Sequence, residues 1–299
     1  MSDEVRSDRA ESKRMNGKLN RTTKTAGHSA ASMASQYVWD SDDLLPNEGE
    51  VEVTIGDLSL ALNLQLPHER RYALGLLHGL RNPQADIDHE LFKRYVRSGD
   101  VILDAGANIG VTAAEALACG AGHVICVEPE HGLVKRLHAL KSSDQNRITI
   151  WDCALGAQEG FADLLLSKTH NQGHTLSPKM ASMFASLFDG TLQRVAVRTV
   201  DVILSNRPSA IWKLDVEGAE ADVLRGARST LEHSPPRAII AELYDPFVDE
   251  FVDLLPEFQV RRAALTKTEY ALQLLDQVGG PLTDEFCPTS PTYVFTRRD

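Results

Sequence analysis

No apolar run in the 299 residues approaches the ~20 that a bilayer span requires. The N-terminus also has no apolar core of the kind a signal peptide carries, so a cytoplasmic protein is expected, with no membrane partner. Cysteines are few: Cys119, Cys126, Cys153 and Cys287. None belongs to a CxxC pair or to a Cys/His ligand cluster, so reduced thiols are expected. Basic charge is short as well. Lys and Arg number 31 against 42 Asp and Glu, a formal charge of −11. Binding phosphate backbones needs a basic face, so nucleic acid is not expected as a partner. A small acidic molecule stays compatible with that balance, since one local basic cluster suffices. Large apolar residues are nearly missing over 1–36, where Ser, Thr, Asn, Lys and Arg dominate. Such a segment cannot bury enough surface to offset its ordering entropy, and a disordered tail is expected over 1–45. Four acids among its first 36 residues argue against a transit peptide.

The whole chain is 42% hydrophobic, an ordinary globular value. Apolar residues alternate over 51–55 and again over 58–66, separated by Gly56-Asp57, which predicts a β-hairpin. Helical spacing follows over 69–77 and 87–96. These segments form an expected N-terminal unit over 46–98, ahead of a cofactor-binding domain over 99–299. From Asp100 onward, short apolar runs end in acids: Asp104, Glu128, Asp152, Asp215 and Glu242 close five of them. Helical stretches over 112–119, 131–141, 219–231 and 247–255 lie between or after them. Apolar strands alternating with helices indicate an α/β fold, a doubly wound and mostly parallel sheet. Residues 292–295 are the expected closing strand.

The stretch GDVILDAGANIG (99–110) runs a strand into an acid and then into a glycine-spaced turn that opens a helix. Glycines let backbone approach a ligand closely, and a helix N-terminus offers free N–H groups. Ligands of open α/β sheets bind at strand C-termini near the switch point. The two glycines, Gly106 and Gly110, do not make a GxGxxG dinucleotide fingerprint, and no Gly-Lys-Ser/Thr ending makes a P-loop. Asp104 is placed to pair with an ammonium such as that on the methionine end of S-adenosylmethionine (SAM). Glu128 suits two ribose hydroxyls, and Asp152-Cys153 suits an adenine edge. The expected cofactor site is therefore Asp104, Gly106, Ala107, Asn108, Gly110, Glu128, Pro129, Asp152, Cys153 and Asp215.

In a doubly wound sheet the strand ending at Asp215 lies beside the one ending at Asp104. Asp215, Glu217 and Glu220 then crowd within six residues, with Glu220 in the first turn of a helix. An alcohol is a poor nucleophile until its proton leaves, so Asp215 or Glu217 is a candidate base, and His174 a second one. Asp215 and Glu242 close adjacent strands and are the one pair that suits Mg²⁺, yet no obligatory metal is expected.

Four blocks, GDVILDAGANIG (99–110), VICVEPE (124–130), RTVD (198–201) and KLDVEGAEADVLRGA (213–227), resemble the FkbM-type methyltransferases. The likeness runs over roughly 51–299, and the last block is the most specific. It implies a class I, Rossmann-like sheet of seven strands with an N-terminal hairpin and helix extension. It also implies methyl transfer from SAM to a hydroxyl of a sugar or small metabolite. Two other readings stand beside it: a nucleotide-binding oxidoreductase on the same kind of sheet, and a binding module that keeps the pocket without turnover. Acceptor, oligomeric state and the choice of oxygen or nitrogen as the methylated atom are not written in these motifs.

Overall fold

The computed structural model describes residues 15–16, 36–140, 145–205 and 207–298. Most of the tail expected over 1–45 lies outside the described residues. Its last ten residues are described. Val38 is fully buried and its N–H donates to the Arg81 carbonyl at 3.0 Å. Tyr37 stacks on Trp39 with ring centroids 4.7 Å apart. Val38 and Leu45 are buried, and backbone pairing with Arg81 holds the segment.

Strand β1 (Met15–Asn16) pairs in parallel with β2 (Glu50–Ile55), which turns through Gly56 into antiparallel β3 (Leu58–Asn63). Val51, Val53 and Ile55 point inward from β2, as their alternation requires. Helices α1 (Pro67–His78) and α2 (Pro83–Tyr95) follow, each with proline in its first turn, where the missing N–H costs nothing. The main sheet then opens with β4 (Val101–Ala105), α3 (Val111–Ala118), β5 (His123–Glu128), α4 (His131–His138) and β6 (Ile148–Asp152). A side sheet comes next: β7 (Ala154–Leu155), β8 (Gly160–Ser167), α5 (Pro178–Met183) and β9 (Phe188–Arg198), ordered β7-β9-β8. The chain returns through α6 (Val200–Ile203), β10 (Ile211–Leu214), α7 (Glu220–Arg225), α8 (Arg228–His233), β11 (Ala238–Glu242) and α9 (Asp245–Asp253). Strands β12 (Phe258–Leu265), β13 (Leu272–Leu275) and β14 (Thr292–Arg297) complete it.

The main sheet has the order β13-β12-β14-β11-β10-β4-β5-β6, with β6, β5, β4, β10 and β11 all parallel. Eight strands stand where seven are expected. The extra one is β13, an edge strand paired antiparallel to β12. The helix expected over 219–231 is two helices. The break falls at Gly226 and Ala227, where a Cβ on Gly226 would sit 2.1 Å from the Gly156 carbonyl oxygen.

Both faces of the sheet are buried, and successive residues of each strand serve opposite cores. Ile102, Val124, Ile211 and Ile240 face the hairpin with α2 and α3. Leu103, Ile125, Trp212 and Ile239 face the helices that carry Val200, Val223 and Phe251. Continuous apolar strands are what a sheet covered on both sides needs. Among the described residues no helix is long and apolar enough to cross a membrane.

Candidate functional site

Strands β4 and β10 are neighbours although the chain visits β5 and β6 between them, so the sheet reverses its winding there. Their C-terminal ends touch. Asp215 N–H donates to the Ala105 carbonyl at 3.0 Å. Gly106, at φ +82°, leaves no room for a side chain, since a Cβ would fall 1.9 Å from the Asp215 carbonyl oxygen. Only glycine fits this place. The Gly106 and Ala107 N–H groups both donate to the Val127 carbonyl at the end of β5, at 2.9 and 3.1 Å. Asn108 follows at φ +50° and gives its N–H to Glu128 Oε2 at 2.9 Å. Its amide nitrogen reaches the Asn171 carbonyl at 2.7 Å, which ties the turn to the loop after β8.

A cavity of about 290 Å³ opens over these strand ends, close to the lower size range of small-molecule sites. Of the residues singled out from sequence, Gly106, Ala107, Asn108, Glu128, Pro129, Cys153, His174, Asp215 and Glu217 line it. Three do not. Asp104 is 1% exposed and faces Lys213 across the β4–β10 ladder. Gly110 caps α3, where a Cβ would press on Leu140 at 2.7 Å; its requirement is packing. Asp152 ends β6 as an exposed side chain, outside the cavity lining. A strand-end acid lies on one sheet face or the other according to register, and a sequence pattern alone does not reveal whether it stays open to a ligand.

Lys213 sits at the centre of the acids. Its Nζ is 3.4 Å from Asp215 Oδ2 and 3.7 Å from Asp88 Oδ2, with only 2% of the side chain exposed. Burial pushes the ammonium down, but Asp88, Asp215, Glu242 and Asp104 together hold it above its ordinary value. Burial raises the acids in turn. Asp88 rises to about 6 and Asp104 to about 7, each drawn back in part by Lys213. Glu242 is pushed up to about 8 by burial and by Asp215. Glu128 rises to about 7 through burial, although the N–H groups of Glu130 and Asn108 favour its charged form. Glu220 also rises to about 7 through burial. Its Oε1 accepts the Val216 and Gly218 N–H groups, both at 3.1 Å, so it shapes the turn between β10 and α7.

The two side chains proposed as bases besides Asp215 have other duties. His174 Nδ1 accepts the Ser167 N–H at 2.9 Å. Its free lone pair is thereby taken, and Nε2 of the neutral ring carries the proton. Burial lowers its pKa further, so His174 is a donor to the cavity. Glu217 stands at φ +53°, and burial with Asp215, Glu242 and Glu220 nearby lifts it well above the carboxylate range. Its backbone carbonyl accepts the Thr175 hydroxyl at 2.6 Å. Asp215 remains, part-exposed and oriented by Lys213.

The sequence motifs point to no individual cavity residue in the N-terminal helices. His68 and Tyr72 from α1, and Gln84 and Asp88 from α2, line the cavity. Each pair is spaced i, i+4, which puts both members on one helix face, and that spacing was the available signal. Tyr244 and Ser290 complete the far side. Gln84 donates to Glu242 Oε2 at 3.0 Å and the Tyr244 hydroxyl to Oε1 at 3.3 Å. Among the described residues no group of three or more His, Cys, Asp or Glu is arranged to hold a metal ion.

An open parallel sheet with its cavity at the switch point, floored by a glycine turn, is an α/β cofactor-binding architecture. The family model for the methyltransferase FkbM domain matches residues 104–272. The chain belongs to the FkbM methyltransferases. Among solved structures it is similar to the FkbM methyltransferase of Methylobacillus flagellatus KT, at 17% identity and TM-score 0.43, covering 69% of this chain and 50% of that one. It is also similar to magnesium protoporphyrin IX methyltransferase of Synechocystis PCC 6803, solved with bound SAM. That match has 14% identity and TM-score 0.40 over 72% of this chain and 78% of the other. The chain spans about half the length of the first of these relatives. No curated protein matches it.

Proposed function

We propose that the protein transfers a methyl group from SAM to a hydroxyl of a sugar or another small metabolite. The observation that carries this reading is the backbone contact of Gly106 with Asp215 at the rim of one cavity, with Glu128 on the same rim. The residues present suit the cofactor. Glu128 is 4% exposed and spends one lone pair of each oxygen on the N–H groups of Asn108 and Glu130, which leaves acceptor capacity for a ribose diol. Cys153, Ala154 and Leu155 give an apolar wall of the kind an adenine ring needs. SAM, when bound, supplies an electrophilic methyl on a sulfonium.

The chain's own part is to align the acceptor and to take its proton. Holding both reactants in line removes much of the entropic cost of their meeting. Asp215, held by Lys213, is the proposed proton acceptor, worth about 10²–10⁴ in rate. Glu217, whose pKa burial and the neighbouring acids raise, orients the acceptor in this reading. No metal enters this proposal. Residues 99–299 carry the chemistry in this reading, and 46–98 cover the cavity. Titration calorimetry with SAM tests the first half: binding is expected, and weakened by Glu128→Ala. Incubation with SAM carrying a ¹³C methyl and a cell extract, read by mass spectrometry, identifies the acceptor. Absence of any SAM binding ends the proposal, and undiminished turnover in excess EDTA is expected.

A further inference from the structure

SAM ends in a zwitterion, and the cavity has to receive both of its charges. Asp104 does not line the cavity and already faces Lys213. No lysine or arginine lines the cavity to meet the carboxylate. Four side chains that line it, His68, Asp88, His170 and Asn171, carry a buried polar atom with no hydrogen-bond partner, and Asp88 is the carboxylate among them. Asp88 Oδ2 is 3.7 Å from Lys213 Nζ, while Oδ1 has no hydrogen-bond partner. His68 is 9% exposed, and neither of its ring nitrogens makes a hydrogen bond, Nε2 lying 4.0 Å from Glu69 Oε1. Buried polar groups left without partners are costly, and a ligand that completes them removes that cost. Their chemistry is complementary to a zwitterion, since a carboxylate only accepts and a neutral imidazole donates one N–H.

Building on the SAM reading above, we propose that Asp88 takes the ammonium of the cofactor's methionine end and that His68 donates to its carboxylate. Both residues precede the matched family region, which begins at 104. The amino-acid end of the pocket is thus supplied by α1 and α2, and the nucleoside end by the sheet. Burial pushes His68 down to about 4, so the ring enters the complex as a neutral donor.

Two probes separate the ends of the ligand. S-adenosylhomocysteine carries the zwitterion, and 5′-methylthioadenosine keeps only the nucleoside and sulfur. Calorimetry on the full chain and on the variants Asp88→Asn and His68→Phe compares them. The expected result is a loss of about tenfold or more in S-adenosylhomocysteine affinity for each variant, the scale of one charge-assisted hydrogen bond. Methylthioadenosine affinity is expected to stay within about threefold, and its retention also shows that the variant is folded. Equal loss of both ligands, or of neither, overturns the proposal. The same outcome combined with a large selective loss in Asp104→Asn returns the ammonium to Asp104. Failure of the unaltered protein to bind either probe is a different result, and it rejects the methyl-donor reading itself.

Discussion

Gly106 has the least freedom of any residue in the site. Its φ of +82° and the 1.9 Å approach of the Asp215 carbonyl oxygen to a built Cβ exclude every other amino acid without a backbone shift. Gly106→Ala is therefore expected to cost about 2 kcal/mol or more, from the left-handed backbone and the overlap together. Urea denaturation reads that cost, and calorimetry is expected to show SAM binding lost in parallel, because separating β4 from β10 opens the cavity floor. Asp104 teaches a different lesson at the same scale. Its position before the glycine turn marks it as a ligand in sequence, yet the ladder puts it opposite Lys213 and closes it off. Asp215 and Glu128 carry the same strand-end signal in sequence, and the structure places both on the cavity lining.

The elements that were legible are those with one clear period. The apolar runs of β4, β5, β10 and β11 and the alternation of β2 and β3 read directly as strands. Strand β13 was not, because an edge strand of four part-exposed residues carries little pattern. The close approach of Gly226 to the Gly156 carbonyl at the break between α7 and α8 was hidden, because the two lie seventy residues apart in sequence. The placement of α1 was hidden for a similar reason. It depends on Glu69, 0% exposed, which accepts hydrogen bonds from the Asn63 N–H, the Asn171 amide and both terminal nitrogens of Arg136. One carboxylate thereby joins the end of β3, α4 and the loop after β8. Arg136→Ala leaves that buried charge without its counter-ion, and a loss of about 3 kcal/mol is expected by urea denaturation. Adding Glu69→Gln to the same chain is expected to restore part of it, since the amide buries no charge.

Across the whole molecule, burial sets how stability follows pH. Asp88, Asp104, Glu128, Glu220 and Glu242 all have folded-state pKa values raised to about 6 to 8. The folded state holds protons on them that the unfolded chain has released, so their contribution is lost as pH rises through that range. His68, lowered to about 4, works in the other direction and withdraws stability as pH falls below its unfolded value of 6.5. Denaturation midpoints measured from pH 5 to 9 are expected to decline as pH rises toward 8. A midpoint that climbs steadily to pH 8 contradicts the burial of these acids. The contact of main chain with main chain between Gly106 and Asp215 also bears on redesign. Where two peptide units already touch there is no side-chain volume to exchange, so enlarging or reshaping the chamber has to proceed from the helices and the loop above it. Grafting those covering segments between relatives, with the strand ends left alone, is the route to a changed clientele.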